Sequence, residues 1–129
     1  MLLTKGVVTT EKLYELELLE AWESTYKQGQ LTLWIFLALA ESPKTTAEIK
    51  AYVESATKGT LTADDKSLYR SLRRYYDAEM VNFVSRPSSK GPATKLYSLS
   101  DIGRHLLGRF VRRNIRILIT NPQIKEITV

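Results

Sequence analysis

The chain has no cysteine and a single histidine in 129 residues. Without thiols, neither a disulfide framework nor a thiolate metal site can form, and a reducing compartment is the natural setting. One histidine argues against a zinc catalyst, and nothing in the sequence calls for a metal or another cofactor. That histidine, His105, has no serine and acid at a spacing that would make it a partnered base, and Asp64-Asp65 reads as charge placed at a helix start, not as an acid/base dyad. An enzyme is therefore not expected. Long apolar runs are missing too. The longest, Leu31 to Ala40 with Thr32 inside it, is too short to span a bilayer. No basic-then-apolar leader opens the sequence, and there is no internal repeat or low-complexity stretch. The expectation is a soluble, cytoplasmic protein with no membrane partner, and a 43% hydrophobic composition suffices for one ordinary core.

Charge is present but unevenly spread. The net charge is +5. Residues 11–24 carry five glutamates against Lys12, a local charge of −4 that should avoid phosphates. Residues 66–95 carry Lys66, Arg70, Arg73, Arg74, Arg86, Lys90 and Lys95 against Asp77 and Glu79, a local +5. A concentrated basic field of this kind is what nucleic-acid binding requires.

Apolar periodicity and capping residues divide the chain into elements. A first helix is predicted over Glu11 to Lys27, with Thr10 as N-cap and Gly29 beyond its end. Tyr14, Leu18, Trp22 and Tyr26 recur every four residues, with Leu19 beside them, and form an apolar stripe. Leu31 to Glu41 is apolar nearly all round and reads as a central buried helix, stopped by Ser42-Pro43. Thr45 and Glu48 make a capping box for a third helix reaching about Ser55, with Ile49 and Val53 inward and Tyr52 partly covered. Thr62 and Asp65 give a weaker version of the same signal for a fourth helix through about Ala78. In that helix Leu68 and Leu72 point inward with Tyr75 or Tyr76. The period then changes to alternation: Val81 to Arg86, a polar tip over Pro87 to Pro92, and Lys95 to Leu99 read as a β-hairpin. Ser100 caps a last helix from Asp101 to about Leu118, with Ile102, Leu106, Leu107, Phe110, Val111 and Ile115 as a wide apolar stripe. Asn121-Pro122 ends it, and residues 124–129 read as a strand or a disordered tail.

The predicted fold is thus mainly α with a small β-hairpin, an α+β winged helix-turn-helix flanked by N-terminal and C-terminal helices. The expected divisions are 1–29, an amphipathic helix; 30–100, a winged DNA-binding domain; and 101–129, a closing helix and tail. In this order of elements the helix before the hairpin is the one offered to the major groove of double-stranded DNA. Lys66, Ser67, Tyr69, Arg70, Arg73 and Arg74 are its candidate contacts, and Arg86, Lys90 and Lys95 on or near the wing are candidate phosphate contacts. Solvation of a charged helix face, packing of Tyr69 and Tyr76 on the second helix, and pairing of Arg74 with an acid are the competing readings of the same residues. The two end helices carry more apolar surface than one winged domain is expected to hide, which marks an interface with a second copy; folding of both helices back onto their own domain is the competing reading.

Two stretches carry a family resemblance: Ser67-Leu68-Tyr69-Arg70-Ser71-Leu72-Arg73-Arg74, and Gly91-Pro92-Ala93-Thr94-Lys95-Leu96-Tyr97-Ser98-Leu99-Ser100-Asp101-Ile102-Gly103-Arg104. They resemble the T-L-Y-x-x-L-R-R and G-P-x-R-K-Y-Y-x-L-T-x-x-G-R patterns of the PadR family of winged-helix transcriptional regulators. Three departures stand out. Glu79 occupies a turn where the family often has glycine, Lys44-Thr45-Thr46-Ala47 replaces a histidine-glycine-tyrosine run, and Thr94 stands at a wing arginine position. The resemblance implies a homodimer that represses transcription from a palindromic operator, with the closing helix at the dimer interface. Some members of the family sense small molecules at the dimer interface; for a small aromatic effector of that kind Trp22 and Trp34 are the candidate pocket residues, although burial in the core is the commoner fate of such side chains. A winged-helix protein-interaction module and a non-specific nucleic-acid binder are the alternative functions.

Overall fold

The computed structural model describes residues 9–128 and divides into two compact units, with the boundary between Leu31 and Thr32. The first unit is dominated by α1 (Thr10–Lys27). Its N-cap is Thr9, one residue earlier than the sequence indicates, because the Thr9 hydroxyl accepts the Lys12 N–H at 3.2 Å. Gly29, at φ +82°, turns the chain beyond the helix end. No residue of α1 is buried, so Tyr14, Leu18, Leu19, Trp22 and Tyr26 all stand exposed.

The second unit holds the core. Helix α2 (Gln30–Glu41) crosses the boundary and buries Ile35, Phe36, Ala38 and Leu39. Helix α3 (Thr46–Ala56) starts from the expected capping box and buries Ile49 and Val53. Helix α4 (Asp65–Asp77) buries Leu68, Ser71, Leu72 and Tyr75, spaced i, i+3, i+4, i+7 along one face. Its start corrects the sequence reading. The cap is Asp64, whose carboxylate accepts the Ser67 N–H at 2.8 Å, and Thr62 lies outside the helix. Ala63, buried in the core, anchors the chain just ahead of that cap. Of the two tyrosines, Tyr75 goes inward, with its ring edge-on to Phe36 at 4.9 Å and its hydroxyl sharing a hydrogen bond with Thr32. Tyr76 stays exposed and leans on Phe83 of the hairpin, not on α2, with ring centroids 4.8 Å apart.

The corner between α2 and α3 depends on Lys44. Its ammonium is buried and donates to the Ala38 carbonyl at 2.7 Å, the Ser42 hydroxyl at 2.9 Å and Glu41 Oε1 at 3.0 Å, closing the C-terminal end of α2. Its ammonium also lies 5.1 Å from the centre of the Tyr52 ring. The Lys44 backbone pairs in both directions with Tyr97 (2.9 and 2.8 Å), so the corner forms a third, single-bridge edge to the wing sheet. Lys44→Met keeps the packing on Tyr52 but leaves the Ala38 carbonyl with only the long Ser42 N–H contact (3.5 Å) and removes the ammonium from the Ser42 hydroxyl and Glu41, and should cost about 2 kcal/mol in urea unfolding. An unchanged midpoint would show that the clamp contributes nothing.

After α4 the chain reverses through Glu79, at φ +63°. The Glu79 N–H donates to the Tyr76 carbonyl and the Met80 N–H to the Tyr75 carbonyl, a Schellman closure with Glu79 at the left-handed position. A non-glycine side chain is therefore held in the left-handed region at the turn where the family often has glycine. Glu79→Gly should stabilise the fold by about 0.5–1 kcal/mol, because relief of the left-handed strain exceeds the extra unfolded-state entropy of glycine. The measurement is the denaturation midpoint at unchanged m-value.

Strands β1 (Val81–Arg86) and β2 (Thr94–Leu99) pair antiparallel, with Val81 opposite Leu99, Phe83 opposite Tyr97 and Arg86 opposite Thr94. Val81, Tyr97 and Leu99 are buried, and the far end of the hairpin is polar and exposed. Helix α5 (Asp101–Phe110) begins at Ser100, as the sequence indicates, and buries Gly103 and Leu107. The helical path continues through a π-helical stretch, Val111–Arg116, into the short α6 (Ile117–Ile119). Of the expected apolar stripe, Leu107 is buried, Leu106, Val111 and Ile115 are half-buried, and Ile102 and Phe110 remain exposed. The described part of the tail is helical and not a strand: α7 (Pro122–Ile127) is capped by Asn121, whose side chain accepts the Gln123 N–H at 2.9 Å, and Val129 lies outside the described residues. Asn-Pro stops one helix and starts the next, since proline is at ease in the first turn. No helix among the described residues is long and apolar enough to cross a membrane.

Candidate nucleic-acid interface

The face of α4 opposite Leu68, Ser71, Leu72 and Tyr75 carries Lys66, Tyr69, Arg70, Arg73 and Arg74, all exposed. That separation follows from the 3.6-residue period: one side is anchored in the core, and the other projects four cations and a phenol. Among the described residues none of these cations is paired with a carboxylate within 4 Å. Arg74 does not bridge to an acid; its guanidinium lies 5.6 Å from the centre of the Tyr75 ring. Ser67, half-buried, is committed to the helix cap, with its hydroxyl donating to Asp64 Oδ2 at 2.9 Å. Tyr69 turns its hydroxyl to Thr46 of α3, 3.3 Å away, and not to α2.

On the wing, Arg86, Lys90 and Lys95 are exposed. Lys95 sets its ammonium 4.5 Å from the centre of the Phe83 ring, on the sheet face shared with Tyr97, while Lys90 sits at the hairpin tip. Thr94, opposite Arg86, is exposed, so the place of the expected arginine holds a short neutral side chain.

Between α4 and the wing lies a cleft of about 320 Å³ lined by Thr46, Tyr69, Pro92, Ala93, Thr94, Lys95 and Tyr97. Thr46 and Tyr97 were not among the residues the sequence singled out. The inward tyrosine of the wing pattern was the available signal for Tyr97; Thr46 reaches the cleft only because the α3 start abuts the wing through the Lys44–Tyr97 bridge. Burial pushes the Tyr97 phenol up from its ordinary pKa, with a further push from Tyr69.

Two carboxylates hold the helix starts beside this surface. The Ser67 amide and then its hydroxyl pull Asp64 below the usual carboxylate range, with a weaker pull from Arg70. The Thr45 amide and then its hydroxyl do the same for Glu48, aided by Arg86 and Lys44. Both groups are depressed in the folded state, so their contribution is present at neutral pH and is lost as pH falls through their lowered pKa values. Cationic side chains flank both caps, so the surface stays basic despite them.

The tryptophans are placed differently. Trp22 is 74% exposed on α1, contrary to the expectation of burial, and Trp34 is half-buried on α2. They belong to different units.

Residues 35–109 match the family model described as the transcriptional regulator PadR-like family. No curated protein matches the chain in sequence. Among solved structures, the chain is similar to a PadR-like transcription factor from Bacteroides fragilis (TM-score 0.65, 24% identity, 81% of this chain and 98% of that one). It is also similar to a PadR-like transcriptional regulator from Bacillus cereus (TM-score 0.56, 19% identity, 75% of this chain and 98% of that one). A third likeness is to Bacillus subtilis PadR, solved in complex with operator DNA (TM-score 0.58, 20% identity, 63% of this chain and 46% of that one). At these identities the likenesses speak for the winged fold, while the family model covers more than half of the sequence. The chain therefore belongs to the PadR-like family of transcriptional regulators.

Proposed function

We propose that the chain is a sequence-specific DNA-binding repressor that acts as a homodimer on a palindromic operator. The observation that carries this reading is the cationic face of α4, without a carboxylate partner among the described residues, set beside a basic wing across an open cleft. Arg70 and Arg73 are suited to bidentate pairing with guanine O6 and N7 in the major groove, and Lys66, Arg74 and the wing cations to phosphates. The operator complex of Bacillus subtilis PadR supports DNA as the partner. Dimerisation is supported by the exposed Leu13, Trp22 and Tyr26 of α1 and by Ile102, Phe110 and Ile117 along the closing helix, apolar surface that a monomer would leave in water. Operator occupancy then excludes the transcription machinery from the site.

The test is recovery of genomic fragments bound by the chain. An inverted repeat with half-site centres about 34–36 Å apart is expected. Recovery of fragments without any shared sequence would leave a non-specific binder, and no recovery at low salt would leave a protein-interaction module. A planar aromatic effector would stack on the exposed ring of Trp22. Titration with such compounds should quench tryptophan fluorescence, and the absence of quenching by any of them would remove the effector from this reading.

A further inference from the structure

The phenol of Tyr97 is a buried donor that the fold does not use. The residue is only 5% exposed, and its backbone is held between β1, where it lies opposite Phe83, and the two bonds to Lys44. Its hydroxyl makes no hydrogen bond among the described residues. A phenol sealed in a core without a partner is costly, and among the described residues no buried side-chain oxygen or nitrogen is left in that state. The hydroxyl therefore reaches the cleft between α4 and the wing that Tyr97 lines.

The other polar groups at that cleft are of the same chemical kind. Thr46 and Tyr69 bring hydroxyls 3.3 Å apart, long for an O–H···O bond, and their mutual contact uses only one of their two hydrogens. Lys95 brings an ammonium with no carboxylate partner among the described residues. Thr46 is the first residue of α3, so the cleft borders the positive end of that helix. The acid of that helix start, Glu48, is bonded back to the Thr45 amide at 2.9 Å, and neither it nor any other carboxylate lines the cleft. Burial, and then the neighbouring Tyr69, hold the Tyr97 phenol above its ordinary pKa, so it stays protonated and able to donate. Three hydroxyls and a cation with no anion among them match a tetrahedral oxyanion, which only accepts. An apolar ring in the same place would leave those donors unpaired. Position selects the bearer of the oxyanion. A helix lying in the major groove has a sugar-phosphate strand on either side of it, and on the wing side of α4 that strand meets this cleft. We infer that the hydroxyls of Thr46, Tyr69 and Tyr97 and the ammonium of Lys95 form a seat for a single backbone phosphate of duplex DNA, which sets how α4 enters the groove. The inference rests on the proposed function in taking DNA as the partner, but not on operator selection, dimerisation or repression.

Neutral donors and cations leave different marks on binding. Removing a hydroxyl that holds a phosphate weakens the complex without changing the number of counterions released, so the salt slope is kept, whereas removing a cation lowers it. The full-length chain is titrated with a labelled random-sequence duplex, and with the selected operator, over a range of salt. Tyr97→Phe should weaken binding to both duplexes by about tenfold, and Tyr97→Phe/Thr46→Val by about thirtyfold, at an unchanged slope. Lys95→Ala should weaken binding and lower the slope by about 1. Tyr97→Phe should also leave the urea midpoint unchanged, because the hydroxyl has no partner in the fold; a lowered midpoint would make that hydroxyl structural and overturn the inference. Tyr69→Phe, at an exposed residue, gives the same binding readout if the double variant does not fold. A loss under about twofold for the double variant, or for Tyr69→Phe in its place, overturns the inference. Inorganic phosphate tests the source. At matched ionic strength it should release the duplex from the wild-type chain no better than chloride does. Preferential release by phosphate that disappears in Tyr97→Phe/Thr46→Val would give the cleft to a free phosphate and overturn the assignment to DNA. Failure of the wild-type chain to select any sequence would sink the operator reading, and the random-duplex comparison would still decide this one.

Discussion

Replacing Arg70 and Arg73 together with alanine should weaken binding to the selected operator by a hundredfold or more and leave the fold intact. Both side chains are exposed, on the face of α4 opposite its buried residues, and pair with no acid within 4 Å among the described residues, so nothing in the core depends on them. Each bidentate arginine–guanine pair discriminates by about 1–3 kcal/mol, so two lost pairs account for an effect of this size. Lys90→Ala, at the wing tip, is the contrasting control. It should lower affinity for every duplex by a similar factor and reduce the salt slope by about 1. Gel-shift titration of both variants against selected and random duplexes over a range of salt separates the two behaviours. Normal operator binding by a folded double variant would mean that α4 is not the recognition helix.

The second large effect is on stability. Gly103 lies in the first turn of α5, where a Cβ would come within 2.1 Å of the Met80 carbonyl oxygen. Backbone on both sides is pinned. The Ser100 N–H donates to that same carbonyl at 3.1 Å, the Ser100 hydroxyl donates to the Glu79 carbonyl at 2.7 Å, and the Gly103 N–H returns to the Ser100 hydroxyl at 3.0 Å. The start of α5 is thereby fastened to the turn between α4 and β1, and no flexible side chain is available to give way. Gly103→Ala should cost about 2–3 kcal/mol, at the upper end of ordinary overpacking. Gly108→Ala, on the same helix, is the internal comparison: a Cβ there meets only the Arg112 guanidinium at 3.5 Å, and the change should be neutral or stabilising by up to about 1 kcal/mol. Equal unfolding midpoints for the two variants would refute the close approach.

The glycine at 103 shows how a sequence pattern and its physical reason can be separated. The Gly-Arg pair at the end of the wing pattern was legible as a family mark, but the reason for a glycine there is a carbonyl 23 residues earlier in the chain. Glu79 is a second case. Its departure from glycine is visible in the sequence, but the positive φ it must adopt is shown only by the structure. In the sequence Lys44 is only a substitution in a motif, and no local pattern announces that its ammonium is buried at the end of the preceding helix.

The sequence by itself determined what depends on neighbours within one turn: the order of helices and hairpin, the inward faces of α3 and α4, the capping box at Thr45 and the cap at Ser100. Those follow from periodicity and from hydrogen bonds three residues apart, interactions the chain makes without reference to the rest of the fold. Only the tertiary structure decided which residues meet across long separations. It placed Tyr76 on Phe83, Tyr69 on Thr46, Lys44 against both α2 and Tyr97, and Gly103 against Met80. Period marks the side of an element that must be covered but not the group that covers it, because that depends on which distant elements close the same core.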